Sequence, residues 1–599
     1  MGQVLSEEEK PAPLSHEELV KELANIFADK CFTSLELYSL KQVFKSLAHH
    51  EQRVGYLKEG TIATYLNVPD ILGVSPVLFR MVTYIAAFPF LEDAPAFLGL
   101  QQMVIVITLM TDRYRRVLSK DAADKTKLLF KSLAVYDRKL SRPAADMLSG
   151  LTNAREQAGN DRQALDNDEL VLAAFDALGH VIPDKQQNML ATHEAMIPGD
   201  NFRKFIMLLL LVAPLDPQGR LDSDPNRVTG AGLQCLRTAA ESILAAFLDV
   251  EQKPGVEYLR FSKVIASCLP FLFRGLTPLF EYFLFSEELD FHKGKKGTSR
   301  SPTMFPKPEQ PILQDTGSIM NASILSQMSF FLPGNLLFRR LRLLYAGDED
   351  GFSMGSFEAK VFKWKAPTIL LVCGTRLRDD SDHHSNGSAP AFWASLPPRR
   401  FPRGSSGEAE RLTFGVYVPE PWKLTHRECF GGEDTILFQL EPIHDLFRAS
   451  SLNKDYISFA RPSASLSHAG VSFGCPPPRP SQAYRRSSII ALGPVSLMLD
   501  SSFEFGCFTH DYASKGGAFH TSMIREYDFQ ERFEIGSVEV WGCGGDEEAK
   551  DQAERWAWEA REAEARRRIN LGTGDIEADR ALLEMAGLVG SNRNGGSMA

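Results

Sequence analysis

The sequence predicts an α+β protein: an all-α region over residues 15–290, then an antiparallel β-sandwich with flanking helices and a C-terminal helix. Three observations predict it. Apolar residues recur at helical spacing through the first half. Short alternating runs bounded by turn residues fill the second half. All six tryptophans lie after residue 363, so the two halves differ in composition as well as in period.

The helices announce their own starts. Ser15-His-Glu-Glu18 has capping-box spacing, with Leu19, Leu23, Ile26 and Phe27 following on one face. Thr33-Ser-Leu-Glu36 repeats the device before Leu37, Leu40, Phe44 and Leu47. Similar periodicity recurs near 75–115, 121–135, 168–179, 200–213, 231–248 and 258–285. Residues 291–324 form the expected linker, because the Lys-, Pro-, Gly- and Ser-rich stretch 291–318 cannot bury a core. Mild proteolysis is expected to cut there and release a soluble C-terminal fragment.

Short strand-like runs follow at Thr368–Cys373, Phe414–Val418, Thr435–Leu440, Tyr456–Ala460, Ser488–Leu492, Ser496–Asp500 and Phe533–Trp541. In the last run Phe533 and Ile535 share one face, and Val538 and Val540 resume with the parity shifted by one. A β-bulge at Gly536-Ser537 restores both pairs to the core. Residues 376–412 and 460–487 read as projecting insertions. Opposite charges at i,i+4 spacing make 546–568 a helix, in which Trp556 and Trp558 are the large apolar groups expected to anchor it. The C-terminal helical extension runs over 546–589, and 590–599 reads as a disordered tail.

Net charge is −10 and pI about 5.8, which opposes a chain-wide grip on nucleic acid. The eight cysteines include no C-x-x-C pair, so neither a zinc ribbon nor a disulfide framework is expected. No apolar run is long enough to span a bilayer, and the acidic residues 6–10 do not fit a secretory leader. Met1-Gly2-Gln-Val-Leu-Ser6 fits the N-myristoylation pattern, so residues 1–14 are read as a flexible tail acylated at Gly2. One such chain holds a membrane only marginally, and with no polybasic run beside it a protein partner is expected to supply a second anchor.

Three further motifs carry less. Gly351-Phe-Ser-Met-Gly355 has the letters of a nucleophile elbow but follows a turn, so Ser353 reads as a helix N-cap. Asp380, Asp382, His383 and His384 crowd a Ser/Gly-rich loop, which is a poor place for an ordered metal site. Asp222-Ser-Asp224-Pro-Asn226 has calcium-loop spacing, yet Arg227 stands where glycine is needed and Leu233 where glutamate is needed. No metal or other cofactor is expected.

The second half resembles a TLDc domain over about residues 325–545. The resemblance rests on Leu344-Tyr345, Asp350-Gly-Phe-Ser353, Phe357, Pro367–Val372, Phe430–Phe438, Leu499-Asp500, Gly506, Ala518-Phe519 and Phe533–Gly542. In the strand entry Phe430-Gly-Gly-Glu-Asp-Thr, either Glu433 or Asp434 holds the place of the family's glutamate. The whole layout is similar to a fungal family of TLDc proteins named for restriction of telomere capping. That resemblance implies a non-enzymatic adaptor or regulator, cytoplasmic or vacuole-associated. It also implies the vacuolar proton-pumping ATPase as partner and a link to oxidative stress. Glu433, Asp434, Trp556 and Trp558 are the candidate interaction residues. The rival is an enzyme with Glu433 or Asp434 as general base and His426 or His444 near it in sequence. The commoner role for such a glutamate is to hold backbone donors at a strand turn.

Overall fold

The computed structural model describes residues 15–51, 54–91, 98–118, 124–136, 169–179, 195–213, 225–248, 255–284, 317–332, 341–377, 392–397, 410–461, 470–477, 489–544 and 547–561, without positions 394, 426, 555, 556, 559 and 560. Helix α1 (His16–Cys31) starts where its capping box stands. The Glu18 amide donates to the Ser15 hydroxyl, and the Ser15 amide donates to the Glu18 carboxylate at 2.9 Å. Thr33 and Glu36 do the same for α2 (Ser34–Leu47). The helices α3 (Glu59–Tyr65), α4 (Ser75–Ala86), α5 (Leu100–Met110), α6 (Thr126–Leu133), α7 (Glu169–Leu178), α8 (Gly199–Leu211), α9 (Gly230–Phe247), α10 (Tyr258–Ser267) and α11 (Leu276–Glu281) follow. In α5 every residue from Met103 to Met110 is buried, as a helix apolar on all sides must be.

The helical region also holds two small antiparallel pieces. One is a hairpin of β1 (His49–Glu51) and β2 (Val54–Tyr56). In the other, β4 (Ala195–Pro198) lies between β3 (Val135–Tyr136) and β5 (Gly255–Glu257). Strands of two to four residues are too short for alternation to reveal them.

Packed structure resumes at 317, ahead of the expected boundary at 325. Ile319, Met320 and Ile324 are buried, and α12 (Ala322–Ser329) follows. The grip is a carboxylate: buried Glu539 accepts from the amides of Ile319 at 2.7 Å and Met320 at 3.1 Å, and from the Trp541 indole at 2.9 Å. Gly317 lies so close to that carboxylate that a Cβ there would meet its oxygens at 2.5 Å.

The second half is one ten-stranded sheet path: β10-β9-β8-β7-β15-β14-β13-β12-β11, with β6 also on β15. The strands are β6 (Leu341–Ala346), β7 (Thr368–Arg376), β8 (Arg411–Val418), β9 (Ile436–Glu441), β10 (Asp445–Arg448), β11 (Ile457–Ala460), β12 (Gly470–Phe473), β13 (Val495–Asp500), β14 (Phe505–His510) and β15 (Phe529–Cys543). All described pairings are antiparallel. The expected bulge is present: Ile535 faces Gly374 and Ser537 faces Cys373, which leaves Gly536 over. Phe533, Ile535, Val538 and Val540 accordingly all enter one core.

Strand alternation sorts the residues between two cores. Leu370 and Val372 of β7 point into the sandwich, with Phe357 of α13 (Met354–Val361), Trp422, Phe459 and Phe508. Ile369 and Leu371 point the other way, with Tyr417, Phe438 and Trp541, and join the core of the helical region. The helical region and the sheet therefore share one continuous apolar interior.

Three sequence expectations need correction. Residues 489–492 form no strand; instead the Ile490 amide donates to the Ser395 carbonyl at 2.7 Å, and its side chain packs with Trp393, Leu396, Met498 and Cys507. The insertions do not project throughout, because 470–473 is the buried strand β12 and Trp393 is buried. Trp558 is 58% exposed and is not buried as an anchor would be; the helical residues 547–554 are held by Gln552, which donates to the Lys360 carbonyl at 3.0 Å, and by Ala549 against the sandwich core. Trp556, Gly2 and the stretches 291–316, 380–384, 562–589 and 590–599 lie outside the described residues.

Candidate functional site

Glu433 and Asp434 stand at the tip of a tight turn and are both exposed. Phe430 pairs with Ile457, and Gly431 takes φ +106°, a conformation in which glycine is unstrained. The Thr435 amide donates to the Gly432 carbonyl at 3.0 Å, and the Gly432 amide donates back to the Thr435 hydroxyl at 3.2 Å. The threonine hydroxyl, and not the Glu433 carboxylate, closes the turn. Glu420 lies beside Gly432, so three carboxylates border this edge. Burial pushes the Tyr417 hydroxyl up to about 12, and the charge of Asp434 adds to that effect.

Of the two histidines proposed beside these carboxylates, His444 lies elsewhere. His426 lies outside the described residues, and His444 is fully buried beyond the far end of β9. Six residues of strand separate the Glu433 turn from it, about 20 Å at 3.3 Å per residue. No proton passes directly between them.

His444 belongs instead to a buried polar network where helices meet sheet. Its amide donates to the Ser242 carbonyl of α9 at 3.0 Å, and Nδ1 is 3.2 Å from Gln327 Nε2 of α12. Its neighbour Asp445 is completely buried. One oxygen accepts from Arg525 Nε at 2.8 Å and from the Ser522 hydroxyl at 2.7 Å; the other accepts from the Leu446 amide at 2.9 Å. Arg525 also donates to Gln439 Oε1 at 2.9 Å and lies over the Phe529 ring at 4.2 Å. From the helical side Arg260 donates to the Ile524 carbonyl at 2.6 Å, and Lys263 pairs with Glu526 at 2.7 Å.

The chemistry of this network is that of a joint. Burial raises the Cys268 thiol to about 12, so it stays protonated and is a poor nucleophile. The Ser522 hydroxyl donates a hydrogen bond to a carboxylate that Arg525 already holds, and its amide donates to His510 Nε2 at 2.9 Å. Sequence reading missed Asp445, Ser522 and Arg525. The available signal was the polar pair His444-Asp445 inside the apolar run Ile443–Phe447.

Burial also drives His444 down to about 4, well below the ordinary value near 6.5. A proton then binds the unfolded chain below about pH 6.5 but the folded chain only near pH 4. Stability should fall as pH drops through that window, by on the order of 3 kcal/mol from this residue. His510, also lowered mainly by burial, acts in the same direction. The urea midpoint measured at about pH 7 and at about pH 5 tests this; equal midpoints would contradict it.

Ser353 is an N-cap: the Ser356 amide donates to its hydroxyl at 3.1 Å. Among the described residues no cluster of three or more His, Cys, Asp or Glu could hold a metal ion, and no helix is long and apolar enough to cross a membrane. Arg227, in the degenerate calcium loop, donates to Ser326 and to the Leu210 carbonyl, each at 3.0 Å.

The TLDc domain family matches residues 313–544, which includes the segment gripped by Glu539. The chain is 98% identical over 599 residues, the full length of both, to Restriction of telomere capping protein 5 of Neurospora crassa. It is 56% identical over 626 residues to the protein of that name from Colletotrichum graminicola, again covering both chains fully. With that of Arthroderma benhamiae it shares 33% over 674 residues, 96% of this chain and 97% of the relative. Similarity of this extent, carried through the helical region and the TLDc sheet alike, makes the chain a member of the fungal restriction of telomere capping protein 5 family.

Proposed function

We propose that the protein is a non-enzymatic TLDc adaptor or regulator that acts by binding, tethered to membranes through an acylated Gly2. The observation that supports this most is the placement of Glu433 and Asp434. They stand in solvent on a turn, with their neighbouring histidine buried at the other end of a strand. Broad contacts suit such an edge, whereas general-base chemistry needs a carboxylate held in a pocket. The implied partner is the vacuolar proton-pumping ATPase, with the protein cytoplasmic and peripheral on the vacuolar membrane. The relatives' name refers to telomere capping. We read that as influence on a process without nucleic-acid contact, in keeping with the net charge of −10.

Recovery of pump subunits with the tagged protein, identified by mass spectrometry, tests the partner. Glu433→Gln should keep the wild-type unfolding midpoint and weaken recovery by about 1 kcal/mol or less, as expected of one rim charge. Loss of function with binding and stability intact would instead support the enzyme reading, for which removal of a general base typically costs about 10²–10⁴-fold in rate. Gly2→Ala should move the protein from the membrane fraction to the cytosol. An unchanged distribution would remove the lipid from the argument.

A further inference from the structure

We infer that the outward face of α2 is a second membrane anchor, fitted to an anionic lipid surface. This rests on the acylation of Gly2 read above, and it supplies from within the fold the partner that one myristoyl chain needs.

Leu35 and Tyr38 are 54% and 52% exposed. Lys41 and Lys45 are exposed on the same helix. Spacings of three and four residues put all four side chains on one face. The opposite face, Ser39, Leu40, Val43 and Phe44, is buried. The one acidic residue of α2, Glu36, turns away and pairs with Arg113 at 2.9 Å. The exposed face therefore carries an aliphatic group, an aromatic group with a polar tip, and two cations that pair with no carboxylate among the described residues. Such a stripe suits the headgroup boundary: apolar groups enter it, tyrosine sits at its level, and lysines meet anionic headgroups.

The length of the N-terminal segment permits joint use of both anchors. Helix α1 has 16 residues and so spans about 24 Å. The residues from Gly2 to Ser15 can reach at most about 50 Å. A lipid on Gly2 can therefore enter the same leaflet that α2 touches. The favourable contribution of a lysine near such a surface corresponds to about five-fold in binding.

The test uses the full chain co-expressed with an N-myristoyltransferase, with intact mass reporting acylation on its own. Flotation compares vesicles of phosphatidylcholine with vesicles that also contain phosphatidylserine. Leu35→Ser with Tyr38→Ser, and Lys41→Glu with Lys45→Glu, should each keep the wild-type unfolding midpoint, since all four side chains are exposed. Each pair should weaken binding to the anionic vesicles about ten-fold or more. Acylated variants that bind as the wild type does would overturn the inference. A mass lacking the acyl group would overturn the acylation reading instead. The face is then judged with the chain held by an N-terminal histidine tag on nickel-chelating vesicles containing phosphatidylserine. Amide exchange over residues 34–45 should slow there, and unchanged exchange would overturn the α2 face whatever the state of Gly2.

Discussion

Asp445→Ala will destabilise the fold by about 3–5 kcal/mol, because it leaves the Arg525 guanidinium buried without its counter-charge. Asp445 is 0% exposed and the Arg525 side chain 7% exposed, so water cannot replace the lost partner. The loss also frees the Ser522 hydroxyl and the Leu446 amide, which both donate to that carboxylate. The effect should reach beyond the sheet, because the neighbouring loop holds Arg260 and Lys263 of α10. Urea unfolding of the variant gives the magnitude. Asp445→Ala combined with Arg525→Leu should lose less than the sum of the two single changes, since the pair removes both charges together. A wild-type midpoint for Asp445→Ala would show that the pair holds nothing.

The second large effect concerns the halves of the chain. Mild proteolysis should cut within 291–316, whose composition cannot bury a core. The two fragments should then stay together through gel filtration, contrary to the expectation that the C-terminal part is released. Ile369, Leu371, Tyr417, Phe438 and Trp541 lie in one apolar cluster with Phe261, Leu269 and Leu325. Separation would uncover both sides of that core. Urea, not dilution, should part the fragments, and the C-terminal portion expressed alone should aggregate. Fragments that elute apart in native buffer would refute the shared interior.

Local signals were legible in the sequence, and long-range ones were not. The capping boxes at Ser15 and Thr33 act within four residues and could be read directly. The bulge at Gly536 followed from parity alone, because a sheet face admits apolar residues at a fixed period. Strand β12 was hidden within a Pro- and Ser-rich insertion, and β10 was too short to stand out. At the candidate site, the turn bearing Glu433 and Asp434 was placed at a strand entry, as it is. The Asp445 network could not be foreseen. Its members come from positions as far apart as 268, 327, 445 and 525, and nothing in local sequence specifies that they converge.

The place of β15 in the sheet bears on how the protein is made. It pairs with β6, β7 and β14, yet it is the last strand among the described residues. A ribosome that has finished β7 at Arg376 must add every residue through Cys543 before β15 is complete. At 5–20 residues per second that is roughly 8–33 s. During that interval β6 and β7 lack the strand between them, and Ile369 and Leu371 face helices that have already emerged. Those helices have been made before β7, so burial of that side of β7 need not wait for the central strand to arrive.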